Sequence, residues 1–140
     1  MEVSLAVICD YASVSQEGKL NIMGVFQEIN PPVLPFAFPM MYLVVEMEAG
    51  IAEADTQKHI QILLIDQDGN QMLDFQGDVT VPPIAAPGGR AYTNINAGLN
   101  GLNFEAAGNY AFHILVNGEE KRTVPLKVNS PPAAIGGADE

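Results

Sequence analysis

The chain has 140 residues, of which 48% are hydrophobic and 16% charged, a size and composition typical of one folded domain and not of a disordered segment. Six Lys and Arg residues against 17 Asp and Glu residues give a formal net charge of −11, which repels nucleic-acid phosphates and anionic lipids. We therefore expect neither nucleic acid nor a membrane as a partner. Cys9 is the only cysteine, which excludes an intrachain disulfide, a C-x-x-C redox pair and a zinc knuckle.

The N-terminal segment carries no sign of export. It has no basic region, and its apolar run from Leu5 to Cys9 is too short for a signal sequence or a membrane span. Together with the single cysteine, this favours a cytoplasmic protein in a reducing compartment.

Apolar and polar residues alternate along the whole chain, and turn residues recur about every ten positions, as in all-β sandwiches. We predict an antiparallel two-sheet sandwich of about eight strands, immunoglobulin-like in layout. A single domain is expected over residues 1–128, followed by a mobile tail rich in Pro, Gly and Ala over 129–140. The predicted strands lie near residues 3–12, 20–29, 41–48, 58–66, 72–81, 91–99, 109–116 and 120–128.

The apolar patterns of three of these strands predict how each strand is buried. Alternation predicts that the third strand, near 41–48, buries Met41, Leu43, Val45 and Met47 on one side. The strand near 58–66 is the most apolar and is expected in the middle of a sheet. The Asp68-Gly69 pair after it is a strong hairpin signal, whereas the weaker strand near 91–99 is expected to be an edge strand or a half-exposed strand.

The last hairpin is the clearest element. Tyr110, Phe112, Ile114 and Val116 alternate into an Asn117-Gly118 turn, after which the alternation returns along the final strand. Gly108-Asn109-Tyr110 resembles a tyrosine corner, in which the phenol bonds back to the backbone at the entry of the penultimate strand of immunoglobulin-like domains. Antibody domains proper are excluded because their second cysteine and core tryptophan are absent.

A broader resemblance rests on the motif ICDYASVSQEGKLNIMGVFQEI, the loop PPVLPFAFP, the segment MYLVVEM and the closing hairpin. Together these segments resemble a bacterial family of small proteins known only as a domain of unknown function of the 6941 type, over about Leu5 to Val128. The resemblance implies the fold and assigns no activity.

Residues able to carry chemistry are few, and we expect no cofactor and no metal site. Asp66, Asp68 and Asn70 only superficially match a calcium loop, because Gly77 occupies the position of the required glutamate, so a plain turn is predicted. His59 and His113 are expected to be solvated on outer faces. Cys9 is expected to be buried and inert.

The segment from Asn30 to Pro39 contains four prolines and is predicted to be a crossover between sheets. It carries a dense set of apolar side chains on a stiff backbone, which could contact a partner or fold inward to cap the sandwich. The candidate partner contacts on this loop are Val33, Leu34, Phe36 and Phe38.

Three functional hypotheses follow. The leading one is a non-enzymatic binding or scaffolding module that contacts a protein partner or another copy of itself. The second is a structural subunit of a phage-related or other self-assembling particle. The third is an enzyme with a site around Cys9, Asp10 and His113, which requires those side chains to converge.

Overall fold

The computed structural model describes residues 1–132 and is nearly all β-structure. A two-sheet sandwich is confirmed, although this part of the chain forms nine strands where about eight were predicted. A 3₁₀ turn at Ile51–Glu53 is its only helical element, and no helix here is long and apolar enough to cross a membrane. The strands are β1 (Glu2–Val14), β2 (Leu20–Phe26), β3 (Glu28–Ile29), β4 (Phe36–Ala49), β5 (Gln57–Ile65), β6 (Gln71–Thr80), β7 (Ala91–Phe104), β8 (Gly108–Val116) and β9 (Glu119–Val128).

The strands form a four-stranded sheet, in the order β2-β1-β4-β7, and a five-stranded sheet, in the order β3-β9-β8-β5-β6. The chain passes between the sheets five times, after β2, β3, β4, β6 and β7, as in sandwiches of the immunoglobulin-like kind. The pairs are antiparallel except for the short parallel contact of β3 with β9, where Glu28 lies opposite Lys127. The predicted edge strand near 91–99 is β7, and the apolar strand near 58–66 is β5, which has neighbours on both sides.

The core lies between the sheets and follows the predicted alternation. All four inward residues predicted for the strand near 41–48 are fully buried, and the alternating residues of β5 and of the closing hairpin are buried too. Burying side chains of this size stabilises the fold by about 1.5–3 kcal/mol each. The main buried positions are Met41, Leu43, Val45, Met47, Ile60, Ile62, Leu64, Phe104, Phe112, Ile114 and Leu126.

Two predicted segments are corrected. The predicted strand at 20–29 breaks after Phe26, because β2 belongs to the four-stranded sheet whereas β3 pairs with β9 in the other. The predicted crossover from Asn30 to Pro39 does carry the chain between sheets, but it is shorter, since β4 already begins at Phe36.

A proline is tolerated in β4 because that part of the strand has only one neighbour. The pairing of β1 with β4 ends where Cys9 lies opposite Tyr42, so the missing N–H of Pro39 interrupts no ladder with β1. Beside it, Gly101 of β7 has a φ of 69°. The inward-facing positions of β4 change from even to odd residue numbers at this irregularity. Phe38, before it, packs against the core, and Met41, after it, is buried in the same core.

The tyrosine corner is present. The Tyr110 hydroxyl donates a 2.6 Å hydrogen bond to the carbonyl of Ala106, where the chain passes from β7 to β8. The Tyr110 ring also packs edge-on against Phe104, with centroids 5.1 Å apart. Beyond β9, the Asn129 amide donates a 3.0 Å hydrogen bond to the Ile29 carbonyl, and most of the predicted tail lies outside the described residues, which end at 132.

Candidate functional site

Cys9 lies in β1 on the outer face of the four-stranded sheet, yet it is fully buried. It forms a second apolar cluster with Val44 and Ala12, around which Leu20 and Ile22 of β2 are packed. Burial raises the pKa of the Cys9 thiol, and the thiol donates a 3.4 Å hydrogen bond to the Tyr11 carbonyl. The thiol therefore stays protonated at neutral pH, as the sequence predicts for an inert cysteine.

The structure separates the residues of the predicted enzyme site. Cys9 and Asp10 are in the four-stranded sheet, whereas His113 is in β8 of the five-stranded sheet. His113 faces outward because its neighbours Phe112 and Ile114 are buried in the core, so the whole core lies between Cys9 and His113. The Nδ1 atom of His113 lies 3.0 Å from Glu120 Oε1.

His59 also faces outward as predicted, but it belongs to a polar network on β5 and β6. Its ring nitrogens lie 2.9 Å from Asp78 Oδ1 and 3.0 Å from Gln76 Oε1. The Asp78 carboxylate raises the pKa of His59, and the Gln76 side chain adds to the effect. Sequence analysis missed this pairing, although counting back from the Asp68-Gly69 turn places His59 opposite Asp78.

The segment that superficially matches a calcium loop is a hairpin turn. Asp66 accepts hydrogen bonds from the backbone amides of Asp68, at 2.9 Å, and Asn70, at 2.8 Å. The Asn70 amide is the main reason that the pKa of Asp66 is lowered. The Asp66 carboxylate therefore stabilises the turn, and residues 1–132 contain no group of three His, Cys, Asp or Glu side chains placed to hold a metal ion.

The predicted partner contacts on the proline loop divide into two groups. Leu34 and Phe38 pack against the main core, and Phe38 also contacts Phe26, with ring centroids 5.8 Å apart. Phe36 is half-buried and packs edge-on against Phe38, while Val33 is 59% exposed. The loop therefore closes one end of the sandwich, and Val33 is the member of the set that is available to a partner.

A larger exposed apolar region lies on the four-stranded sheet, where the β1–β2 hairpin meets β4. By strand register, Val25 neighbours Cys9 and Met23 neighbours Tyr11. The Tyr11 and Tyr42 rings pack edge-on, with centroids 5.5 Å apart. We call this region the hairpin surface, and it consists of Tyr11, Met23, Val25, Met40 and Tyr42.

The hairpin surface was not predicted, because alternation alone marks one face of each strand as solvated. The available signal was the β2 sequence LNIMGVF, which has no charge on either face. Met23 is 64% exposed, Tyr11 51% and Val25 50%. These are large exposed fractions for neighbouring apolar side chains, and such patches mark interaction sites.

Two of the shallow grooves on the protein surface are mostly apolar. One, of about 160 Å³, is apolar and runs along the seam between the sheets, where Ile8 and Phe26 approach Val124. The other, of about 350 Å³, lies over β8 and β9 near His113 and Lys127. Both are partly open to solvent, whereas the pockets that bind small ligands usually enclose most of the ligand.

Comparison with known proteins places this chain in a family. The model of a family of unknown function, DUF6941, matches residues 4–129, which is almost the whole chain. The chain belongs to the DUF6941 family. The family resemblance predicted from the sequence is thereby confirmed, and with it comes no assigned activity.

Among curated proteins, none matches this DUF6941 chain. The solved structures that match it include two at low identity. A Listeria innocua beta-glucosidase in complex with gluconolactone is 10% identical, with a TM-score of 0.51 over 91% of this chain and 16% of its own. A Pseudomonas fluorescens alkylpurine DNA glycosylase, AlkC, bound to DNA containing an abasic site analog, is 15% identical, with a TM-score of 0.47 over 74% of this chain and 28% of its own. The DUF6941 chain thus corresponds to a small part of either protein.

Proposed function

We propose that this DUF6941 domain is a non-enzymatic binding or scaffolding module of the bacterial cytoplasm that contacts a protein through the hairpin surface. The observation that carries the proposal is the exposure of Met23, Val25 and Tyr11 at neighbouring positions of the β1–β2 hairpin, in a chain with a net charge of −11. An acidic protein keeps itself soluble by charge, so a cluster of exposed apolar side chains of this kind, in which Asp10 is the charged residue, has a cost that a partner would offset.

The separation of reactive groups supports a non-enzymatic role. Nucleophilic catalysis requires an activated nucleophile within hydrogen-bond reach of a base. Burial keeps the Cys9 thiol protonated, and the outward-facing imidazoles of His59 and His113 lie on the opposite sheet, each beside a carboxylate. Binding asks only for a stable, partly apolar surface, which the sandwich provides.

Affinity capture from native cells with matched variants tests the proposal. The test variant is Met23→Ser/Val25→Ser on the hairpin surface. Two controls remove exposed apolar side chains elsewhere: Phe75→Ser on β6, where Phe75 is 45% exposed, and Val33→Ser on the proline loop.

We expect the hairpin variant to lose captured proteins that the wild type and both controls retain. Thermal denaturation of each variant must show that it is folded. Identical sets of captured proteins for all four chains would refute the hairpin surface as the contact, and a loss confined to Val33→Ser would assign the contact to the proline loop instead.

The second candidate function is a subunit of a self-assembling particle, phage-related or other. One feature favours it, namely the uncharged edge strand β7, whose pairing is considered next.

A further inference from the structure

Strand β7 forms one rim of the four-stranded sheet. It pairs with β4 along Ala91–Phe104, and within residues 1–132 no strand pairs with its other side. In an antiparallel ladder, alternate residues point their backbone N–H and C=O groups away from the neighbouring strand, so roughly half of these groups face outward. The rim of β7 is therefore a long row of backbone donors and acceptors that a further strand can pair with.

The charge of β7 sets it apart from the other long edge. Its sequence AYTNINAGLNGLNF has no charged residue and no proline over 14 positions. The rim strand of the five-stranded sheet, β6, carries Asp74 and Asp78. Natural proteins protect edge strands with charges and prolines, since unprotected edges pair with other chains.

Three buried side-chain oxygens in the first half of β7 lack hydrogen-bond partners within residues 1–132. Thr93 Oγ1, Asn94 Oδ1 and Asn96 Oδ1 are the buried side-chain oxygen or nitrogen atoms that find no hydrogen-bond partner in the part of the chain that is described. An unpaired buried polar group destabilises a fold, so three such atoms on four successive positions call for an explanation. A strand added beside β7 would bring side chains within reach of rotated asparagine carboxamides.

The opposite rim of the same sheet, β2, is less suited to pairing. Gly24 interrupts β2 with a φ of 73°, and a Cβ atom at Gly24 would overlap the Asp10 carboxylate. A bend with a carboxylate beside it is a common protection of an edge strand. Open-ended growth from β7 of one copy to β2 of the next is therefore disfavoured.

We propose that β7 pairs with β7 of a second copy of this chain, antiparallel and about a twofold axis, to form one continuous sheet across a dimer. We favour a second copy as the partner because β7 is uncharged. Two copies can therefore meet along β7 without bringing like charges together, whereas elsewhere their acidic surfaces would repel each other. On the neighbouring strand β4, Glu48 lies opposite Tyr92 and is paired with Arg90 at 3.1 Å. Asparagine carboxamides both donate and accept, and so are self-complementary across the axis. The contact is separate from the hairpin surface and would provide the first step of self-assembly.

Sedimentation of the full chain from about 10 µM to about 500 µM tests the proposal. The test variant, Tyr92→Glu/Asn100→Glu, adds two carboxylates at exposed positions of β7. The control, Gln71→Glu/Thr80→Glu, adds the same charge at exposed positions of β6. We expect the wild type and the control to dimerise, and the β7 variant to do so with a dissociation constant raised at least about tenfold, because like charges face each other across the pairing.

Amide hydrogen exchange gives a second readout that a face-to-face dimer would not produce. As the wild-type concentration rises, exchange should slow in β7 and stay unchanged in β6. A monomer at every concentration would overturn the inference, as would a dimer equally stable in the β7 variant. Either result would leave the hairpin surface and its capture experiment unaffected.

Discussion

The two sheets share one core but present different outer surfaces. The five-stranded sheet has polar pairs on its outer face, such as His59 with Asp78 and His113 with Glu120, and acidic residues on its β6 rim. The four-stranded sheet buries Cys9 and Val44 under its own hairpin, exposes apolar side chains beside them, and has an uncharged rim. Since the shared core accounts for the fold, the two proposed contacts rest on the differences outside it.

The largest expected effect comes from placing a charge in the outer cluster of the four-stranded sheet. Val44 is fully buried there, so Val44→Asp leaves an unpaired buried carboxylate and should lower the free energy of unfolding by about 3–5 kcal/mol. The matched control is Asn109→Asp, which adds the same charge on the exposed outer side of the five-stranded sheet and should change stability by less than about 0.5 kcal/mol.

Urea denaturation measures both variants, and labelling of the Cys9 thiol reports whether the cluster has opened. If the two substitutions lower the free energy of unfolding equally, the outer cluster is as accessible to solvent as an ordinary sheet surface. The contrast between the two sheets would then be lost.

A smaller effect is expected where the chain crosses from one sheet to the other at the tyrosine corner. Tyr110→Phe removes the hydroxyl that donates to the Ala106 carbonyl at 2.6 Å, and should lower the free energy of unfolding by about 1–2 kcal/mol. Tyr92→Phe, at a tyrosine that is 53% exposed, is the control and should be close to neutral. Equal stabilities for the two variants would mean that the hydrogen bond contributes nothing to joining the sheets.

Sequence analysis predicted the core residues and the turns correctly, because both depend on residues close together in the sequence. Alternation identified Met41 and Phe112 as buried, and Gly108-Asn109-Tyr110 predicted the corner. It missed the start of β4, because the irregularity at Pro39 and Gly101 that reverses the alternation is shared by two strands far apart in sequence. It also missed β3, since two residues are too few to show a period.

The burial and pairing of side chains on the outer surfaces could not be predicted from the sequence, because they depend on residues from several strands. Alternation identifies two faces of a strand but gives no sign that Leu20 and Ile22 of the hairpin cover Cys9. The rim position of β7 was predicted from its weak apolar pattern. Its unpaired side-chain oxygens depend on the three-dimensional surroundings of Asn94 and Asn96 and leave no trace in the sequence.

The smallest expected effect concerns another of the crossings between the sheets, the 3₁₀ turn after β4. Glu53 lies 2.8 Å from the Lys58 ammonium and 2.6 Å from the Met1 ammonium, and the Lys58 hydrogen bond is the main reason that the pKa of Glu53 is lowered from 4.5 to about 2. A lowered pKa means that the carboxylate form stabilises the fold. This stabilisation is complete above the unfolded-state pKa of 4.5, and it is lost as the pH falls through that value towards about 2. Glu53→Gln should therefore lower the free energy of unfolding by about 1 kcal/mol at neutral pH, after allowance for solvent screening, and leave it unchanged below the folded-state pKa.

Glu17→Gln is the control, since Glu17 is 75% exposed and lies 3.9 Å from Lys19. Denaturation measured across this pH range separates the two crossings, because the cost of Tyr110→Phe should stay constant while that of Glu53→Gln disappears. A cost of Glu53→Gln that did not change with pH would show that Glu53 acts through packing and not through its charge.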